Sequence, residues 1–198
     1  MEEDMKQKRV MDLILLFFFG SVAGWIWEVI DTFFMQKTFA NRGFLHGPWL
    51  PIYGFGILLI YFLKCYFNQN PAILFGVSCI AFGVLEYLGS WLLESLYGIR
   101  WWNYQQEFMN LQGRICLKYV VLFSVAGCLI AYFVLPFLLN ILNKMPFSIK
   151  KVACILLLIL FVVDGAYSFI HPNQGNHVTY TNLIQERRIA NIRKVPVR

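Results

Sequence analysis

The chain has 198 residues, of which 59% are hydrophobic, 18% aromatic and only 14% charged, with a mean hydropathy of +0.58. Soluble domains carry about 25% charged residues, so this composition excludes an ordinary soluble enzyme or adaptor, and nothing outside the apolar runs is long enough for a second domain. The net charge of +6 is no nucleic-acid footprint, because multi-pass membrane proteins concentrate Lys and Arg at their ends and in their loops.

A charged N-terminus, Met1–Val10, precedes an apolar run too long and too poor in small-residue cleavage signals for a secretory leader, so it reads as a retained span. In chain order the expected spans are about 11–34, 49–67, 72–97, 117–142 and 152–170, each near the ~20 residues that cross a bilayer. Pro71 suits the first turn of the third helix, and Pro136 predicts a kink in the fourth. The second span is the shortest, and its start at Trp49-Leu50-Pro51 reads as partly re-entrant. The expected fold class is all-α: a polytopic helical membrane protein of about five transmembrane helices, with two polar, Gly/Pro/aromatic-rich loops on one face. Residues 1–170 form a single transmembrane domain, and 171–198 a basic tail whose stretch Asn182–Ile192 has amphipathic helical spacing.

Glu28, Glu86, Glu94 and Asp164 lie inside these apolar runs. A carboxylate at mid-bilayer costs roughly 2.5–3.5 kcal/mol to insert on translocon scales, so each is expected to face a partner or a cavity. With five spans, the first loop, the third loop and the tail share one face. At a rise of ~1.5 Å per residue, all the acids but Glu86 fall in the half of the bilayer nearest that face. The loops Asn41–Tyr53 and Gly98–Cys116 carry the expected partners Arg42, His46, Arg100 and Arg114. Helical spacing projects Gly20, Gly24, Trp27, Glu28 and Asp31 from one side of the first span. Glu86, Ser90 and Glu94 share about 80° of arc on the third. Both faces read as turned inward, and Gly20-x-x-x-Gly24 admits close approach of another helix. Basic residues are spread over both sides, so the positive-inside rule assigns no orientation.

No Gly-x-x-x-x-Gly-Lys-[Ser/Thr] occurs, so the chain is not itself an ATPase, and Gly-x-Ser-x-Gly, His-Glu-x-x-His and glycosylation sequons are absent. The five cysteines are scattered, mostly in apolar runs, without paired spacing, which supports neither a disulfide framework nor a zinc cluster. Two roles are open to Arg42: a planar fork for an anionic headgroup or phosphate, or neutralisation of Glu28 or Glu86. His46 likewise suits proton movement near neutral pH or the same neutralisation. Trp101, Trp102 and Tyr104 suit the headgroup layer. Oxygen and nitrogen ligands from Glu28, Glu86, Glu94 and His46 are chemically able to hold a metal, but their spacing has no signature, so neither metal nor cofactor is expected.

Taken together, these motifs resemble a bacterial family described as "putative ABC-transporter type IV" permeases. The resemblance rests on Gly24-Trp25-Ile26-Trp27-Glu28, on Asn41-Arg42-Gly43-Phe44-Leu45-His46-Gly47-Pro48 with Pro51-Ile52-Tyr53-Gly54-Phe55-Gly56, and on Glu86 with Ser90-Trp91-Leu92-Leu93-Glu94. Trp101-Trp102-Asn103-Tyr104 and Asn110 with Gly113-Arg114-Ile115-Cys116 complete it. It covers roughly Gly20 to Cys116 by specific motif and the last two spans by general pattern. Asn103 departs from the Asp usual in the Trp-Trp-Asp-Tyr form, so any role of that charge is missing here.

The resemblance implies a multi-pass transport component of the cell membrane, embedded in the lipid bilayer and working with an ATPase subunit or as a homo-oligomer, with no nucleic-acid partner. Its expected polar site comprises Glu28, Arg42, His46, Tyr53, Glu86, Glu94, Trp102, Tyr104, Asn110 and Arg114. An intramembrane enzyme acting on a lipid or lipid-linked substrate, with Glu86 or Glu94 as base, remains an alternative, as does a non-catalytic scaffold. Enzymatic activity is thus left open.

Overall fold

The computed structural model describes residues 2–67, 70–174 and 178–180; the tail stretch 182–192 lies outside them. Five helical rods follow one another: α1 (Glu2–Gln36), α2 (Pro51–Phe67), α3 (Pro71–Tyr97), α4 (Leu117–Lys144) and α5 (Phe147–Ile170). Between α3 and α4 the chain forms a small hairpin of β1 (Asn110–Leu111) and β2 (Ile115–Cys116). All but α2 are long and apolar enough to cross a membrane, so the expected helical membrane architecture holds.

Helix α1 starts nine residues before its expected span because Glu2, Glu3 and Asp4 complement the helix dipole in its first turn. Helix α3 opens on a capped end: the Asn70 side chain accepts from the N–H groups of Ala72 and Ile73, with Pro71 in the first helical position. It closes on Gly98, whose φ of 69° lets its N–H reach the Glu94 carbonyl.

Helix α2 has 17 residues, about 25 Å of rise, short of a ~30 Å hydrocarbon core. The chain ahead of it makes up the depth without being helical, which a membrane tolerates only where the backbone is satisfied by protein. Leu50 N–H donates to the Ser21 carbonyl of α1 at 2.9 Å, and Trp49 N–H to the Gly47 carbonyl at 2.8 Å.

In α4 the disturbance expected at Pro136 occupies the preceding turn, Ile130–Val134, which is a π-helix. A proline in a helix lacks a donor and crowds the carbonyl four residues earlier, and one wide turn absorbs both. The Ala131 carbonyl in that turn accepts from the Lys64 ammonium of α2.

Helices α1 and α2 form the most extensive contact, α3 packs on α4 and on α2, and α5 rests on α1. The largest apolar core, including Leu16, Ile60, Leu74 and Leu135, fills the half of the bundle away from the polar loops. At that far end Lys150 of α5 and Asp12 of α1 pair at 2.5 Å with side chains almost enclosed, so α1 and α5 run in the same direction. A second cluster packs Phe18, Leu45 and Trp49 with Phe17 and Phe161, and a third joins Ala40, Trp101 and Val178.

The α1–α2 contact depends on missing side chains. A Cβ on Gly20 would meet Ile57 Cγ2 at 2.7 Å and the Tyr53 carbonyl at 2.9 Å; one on Gly24 would enter the Tyr53 ring, and one on Gly54 would strike Ser21 and Phe17. The inward face expected for α1 is narrower than its spacing suggested. Glu28 is half-buried, whereas Trp27 is 62% exposed and Asp31 is exposed, because an arc centred on Gly20 and Gly24 already fills the contact with α2. The buried faces expected for α3 at Glu86 and Ser90 are buried.

Replacing Gly24 or Gly54 with leucine is expected to overpack this contact by about 1–3 kcal/mol, seen as a lower melting temperature in detergent. Alanine at Gly76 or Gly165, where a Cβ meets nothing within 4 Å, should leave that temperature close to wild type.

Candidate functional site

The polar site forms at the end of the bundle where α1, α3 and α5 finish and the two loops turn. Four acids organise it, each with a different class of partner. On α1, Glu28 receives Arg42 Nε at 3.2 Å on one carboxylate oxygen and the Tyr53 hydroxyl at 2.8 Å on the other. Arg42 also donates to the Val178 carbonyl at 3.3 Å.

On α3, Glu94 faces two guanidiniums, Arg100 at 2.9 Å and Arg114 at 2.6 Å, all three largely withdrawn from solvent. The hairpin turn delivers Arg114, while Arg100, two residues past Gly98, donates to the Gln112 carbonyl of that turn at 2.8 Å. The turn places Gln112 at φ 54° and Gly113 at φ 69°, with Arg114 N–H on the Leu111 carbonyl at 3.0 Å, the positive-φ pair that joins twisted antiparallel strands tightly. A Cβ on Gly113 would meet Asn103 Oδ1 at 2.6 Å. Asn110 Oδ1 accepts from Gly113 N–H, and its amide donates to the Glu107 and Gln105 carbonyls. Trp102 donates its indole N–H to the Arg114 carbonyl at 3.0 Å. Trp102 and Asn110 thus hold the hairpin rather than touch the acids. Asn103 caps the Gln105 N–H at 3.0 Å, a turn bond an amide oxygen makes as well as a carboxylate.

About two helical turns deeper on α3, Glu86 accepts from the Tyr104 hydroxyl at 3.3 Å through Oε1. Its Oε2 is buried with no hydrogen-bond partner. Tyr104 stacks on Tyr119 of α4 at a centroid distance of 4.6 Å. Burial first, then the nearby Glu86, Tyr53 and Glu28, hold the Tyr104 hydroxyl far above the usual phenol range. It therefore stays protonated and can only donate to Glu86.

The fourth acid, Asp164 of α5, lies outside the ten residues expected from sequence. It gathers the first loop onto α5 by accepting from His46 N–H at 3.2 Å, Gly47 N–H at 3.0 Å, the Trp49 indole at 2.6 Å and Ser168 Oγ at 3.2 Å. His46 Nδ1 lies 3.0 Å from Ser168 Oγ. His46 therefore joins Asp164 and not Glu28 or Glu86. Ser168 follows Asp164 by four residues, so the two share a helix face, a signal that was available in the sequence.

Two further asparagines tie the region together. Asn41 accepts from the Trp25 indole and donates to the His46 carbonyl, each at 2.7 Å. Asn173, past the end of α5, donates to the Asn41 and Gly43 carbonyls, while its own carbonyl accepts from Trp101 at 3.1 Å. The chain after α5 thus bridges the two loops, and Tyr180 N–H reaches the Arg100 carbonyl. Glu28, Tyr53, Tyr104 and Glu86 come together, Glu94 with Arg100 and Arg114 lies beyond them, and His46 stands apart on α5. Among the described residues, no group of three or more His, Cys, Asp or Glu is placed to hold a metal ion.

Glu94→Gln should leave two buried guanidiniums facing a neutral amide and cost about 3–5 kcal/mol, measured as a lower unfolding temperature in detergent. Glu107→Gln, which breaks only the exposed pair with Lys118, should leave that temperature unchanged.

No curated protein and no solved structure matches the chain. A family model described as "Putative ABC-transporter type IV" matches residues 15–169, from the first buried turns of α1 to the last turn of α5 and across every acid of the site. The chain is a helical membrane protein, and it belongs to this "Putative ABC-transporter type IV" family.

Proposed function

We propose that this chain is the permease subunit of a transport assembly in the bacterial cell membrane, powered by a separate ATPase subunit. The family match across the whole helical bundle is the observation that carries the reading. The sequence has no phosphate-binding Gly-rich loop, so in this reading nucleotide hydrolysis falls to a partner. In this reading the cluster of Glu28, Tyr53, Tyr104 and Glu86 is the solute-contacting region. The Arg100–Glu94–Arg114 group is the positive rim that admits an anionic or zwitterionic group.

Geometry supports transport over the two alternatives. The lipid-acting enzyme pairs Glu86 or Glu94 with His46 for acid–base work on one substrate, and His46 is instead engaged with Ser168 and Asp164 on another helix. A scaffold whose charges serve packing alone would saturate every acid, and Glu86 is not saturated.

Native mass spectrometry of the gently solubilised full chain tests the reading. A stoichiometric ATPase subunit in the complex is the expected outcome. A lone chain carrying one phospholipid or lipid-linked molecule, with no ATPase, would overturn it in favour of a lipid-acting enzyme. A homo-oligomer without ATPase would remove the ATP-driven part of the proposal.

A further inference from the structure

Glu86 differs from the other acids at this end of the bundle. Glu28 has Arg42, Glu94 has Arg100 and Arg114, and Asp164 has two backbone N–H groups, an indole and a hydroxyl. Glu86 is 6% exposed, receives one donor at Oε1, and leaves Oε2 buried without a hydrogen-bond partner. Helix α1 presents Glu28, whose negative charge acts on Glu86 directly, and Asp31, which acts on Tyr119. Helix α2 presents Tyr53, the loop segment ahead of the hairpin presents Tyr104, and α4 presents Tyr119 behind Tyr104. The nearest arginine on α1's side, Arg42, is engaged by Glu28 and the Val178 carbonyl. On its own helix, Glu94 is held by Arg100 and Arg114.

An ionised carboxylate removed from water and set beside a second acid is far costlier than a neutral one, and such groups neutralise by taking up a proton. We propose that Glu86 Oε2 is a proton-binding site and that the Glu28–Tyr53–Tyr104–Glu86 cluster exchanges that proton with the aqueous face of the loops. The proton arrives from hydronium, leaving water, and forms an O–H bond at Oε2; its departure to water restores the carboxylate. Tyr104 keeps its own proton throughout and donates to Oε1 in either state. The inference deepens the transport reading by naming an ion for the same site, and it rests on that reading only for the proton's part in transport.

Infrared spectroscopy of the full chain in phospholipid nanodiscs at neutral pH, in H2O and after equilibration in D2O, reads the proton directly. The wild type should show the carbonyl stretch of a protonated carboxylic acid, shifted by D2O. Glu86→Gln should abolish the band, Glu28→Gln should retain it, and Tyr104→Phe should retain it at a displaced frequency. A wild type without the band, or a band that survives Glu86→Gln, overturns the proposal; a band insensitive to D2O overturns the exchange. Glutamine has the shape and neutrality of the protonated acid, so Glu86→Gln should keep the wild-type melting temperature. A fall as large as that of Glu94→Gln would mark Glu86 as an ionised member of a charge pair and overturn the proposal independently. The band needs no solute or partner subunit, so its absence removes the proton site while leaving the ATPase question to mass spectrometry.

Discussion

A carboxylate in hydrocarbon must find a partner, and the loop-bearing half of this molecule is arranged around that constraint. Four acids sit on three helices, and the non-helical backbone of the two loops folds inward to meet them. The loops are tolerated at that depth because the acids and the helix ends satisfy their N–H groups. Each side thus supplies what the other lacks, and neither arrangement is stable in lipid alone. The far half of the bundle has no such need apart from the Asp12–Lys150 pair, and it packs as an apolar core.

The four acids also illustrate how partner type separates structural from functional use of charge. Glu94 faces two arginines and Asp164 four donors, and these contacts fix loops to helices. Glu28 accepts from one arginine and one tyrosine and remains partly exposed. Glu86 alone combines burial, a neutral donor and an acidic neighbour. Ionisable groups of that kind inside a membrane are the ones tied to ion and substrate pathways, whereas saturated pairs mostly specify packing.

Much of this architecture was legible in the sequence, because apolar runs near twenty residues long have few interpretations and parity then fixes which loops share a face. The position of Glu86 and Ser90 on one buried arc, with Glu94 partly buried beside them, followed from helical spacing alone. Spacing failed at Trp27 and Asp31, since it gives the angle between side chains but not how wide the neighbouring helix is. It also left open which base meets which acid. The Arg42–Glu28 pair joins residues close in sequence, but His46 meets Asp164 and Ser168 across 118 and 122 positions, and nothing local encodes that rotation of the loop. The wide turn ahead of Pro136 was half legible: the proline marks the strain, and only the fold shows that Lys64 occupies the carbonyl in it.

The link from Asp164 to the loop at His46, Gly47 and Trp49 has a consequence for how the chain is made. A nascent membrane protein enters the bilayer from its N-terminus, so the first loop is inserted well before the helix that holds its acceptor has been synthesised. Until α5 arrives, two backbone amides and an indole at membrane depth have no fixed partner, and the first helical pair is an unfinished object. The last helix, the one least buried against its neighbours, is therefore a closing piece whose arrival completes the beginning of the chain. A translation product that stops short of Asp164 carries an open loop in lipid, the kind of exposed polar backbone by which a cell can recognise a membrane protein that has not finished folding.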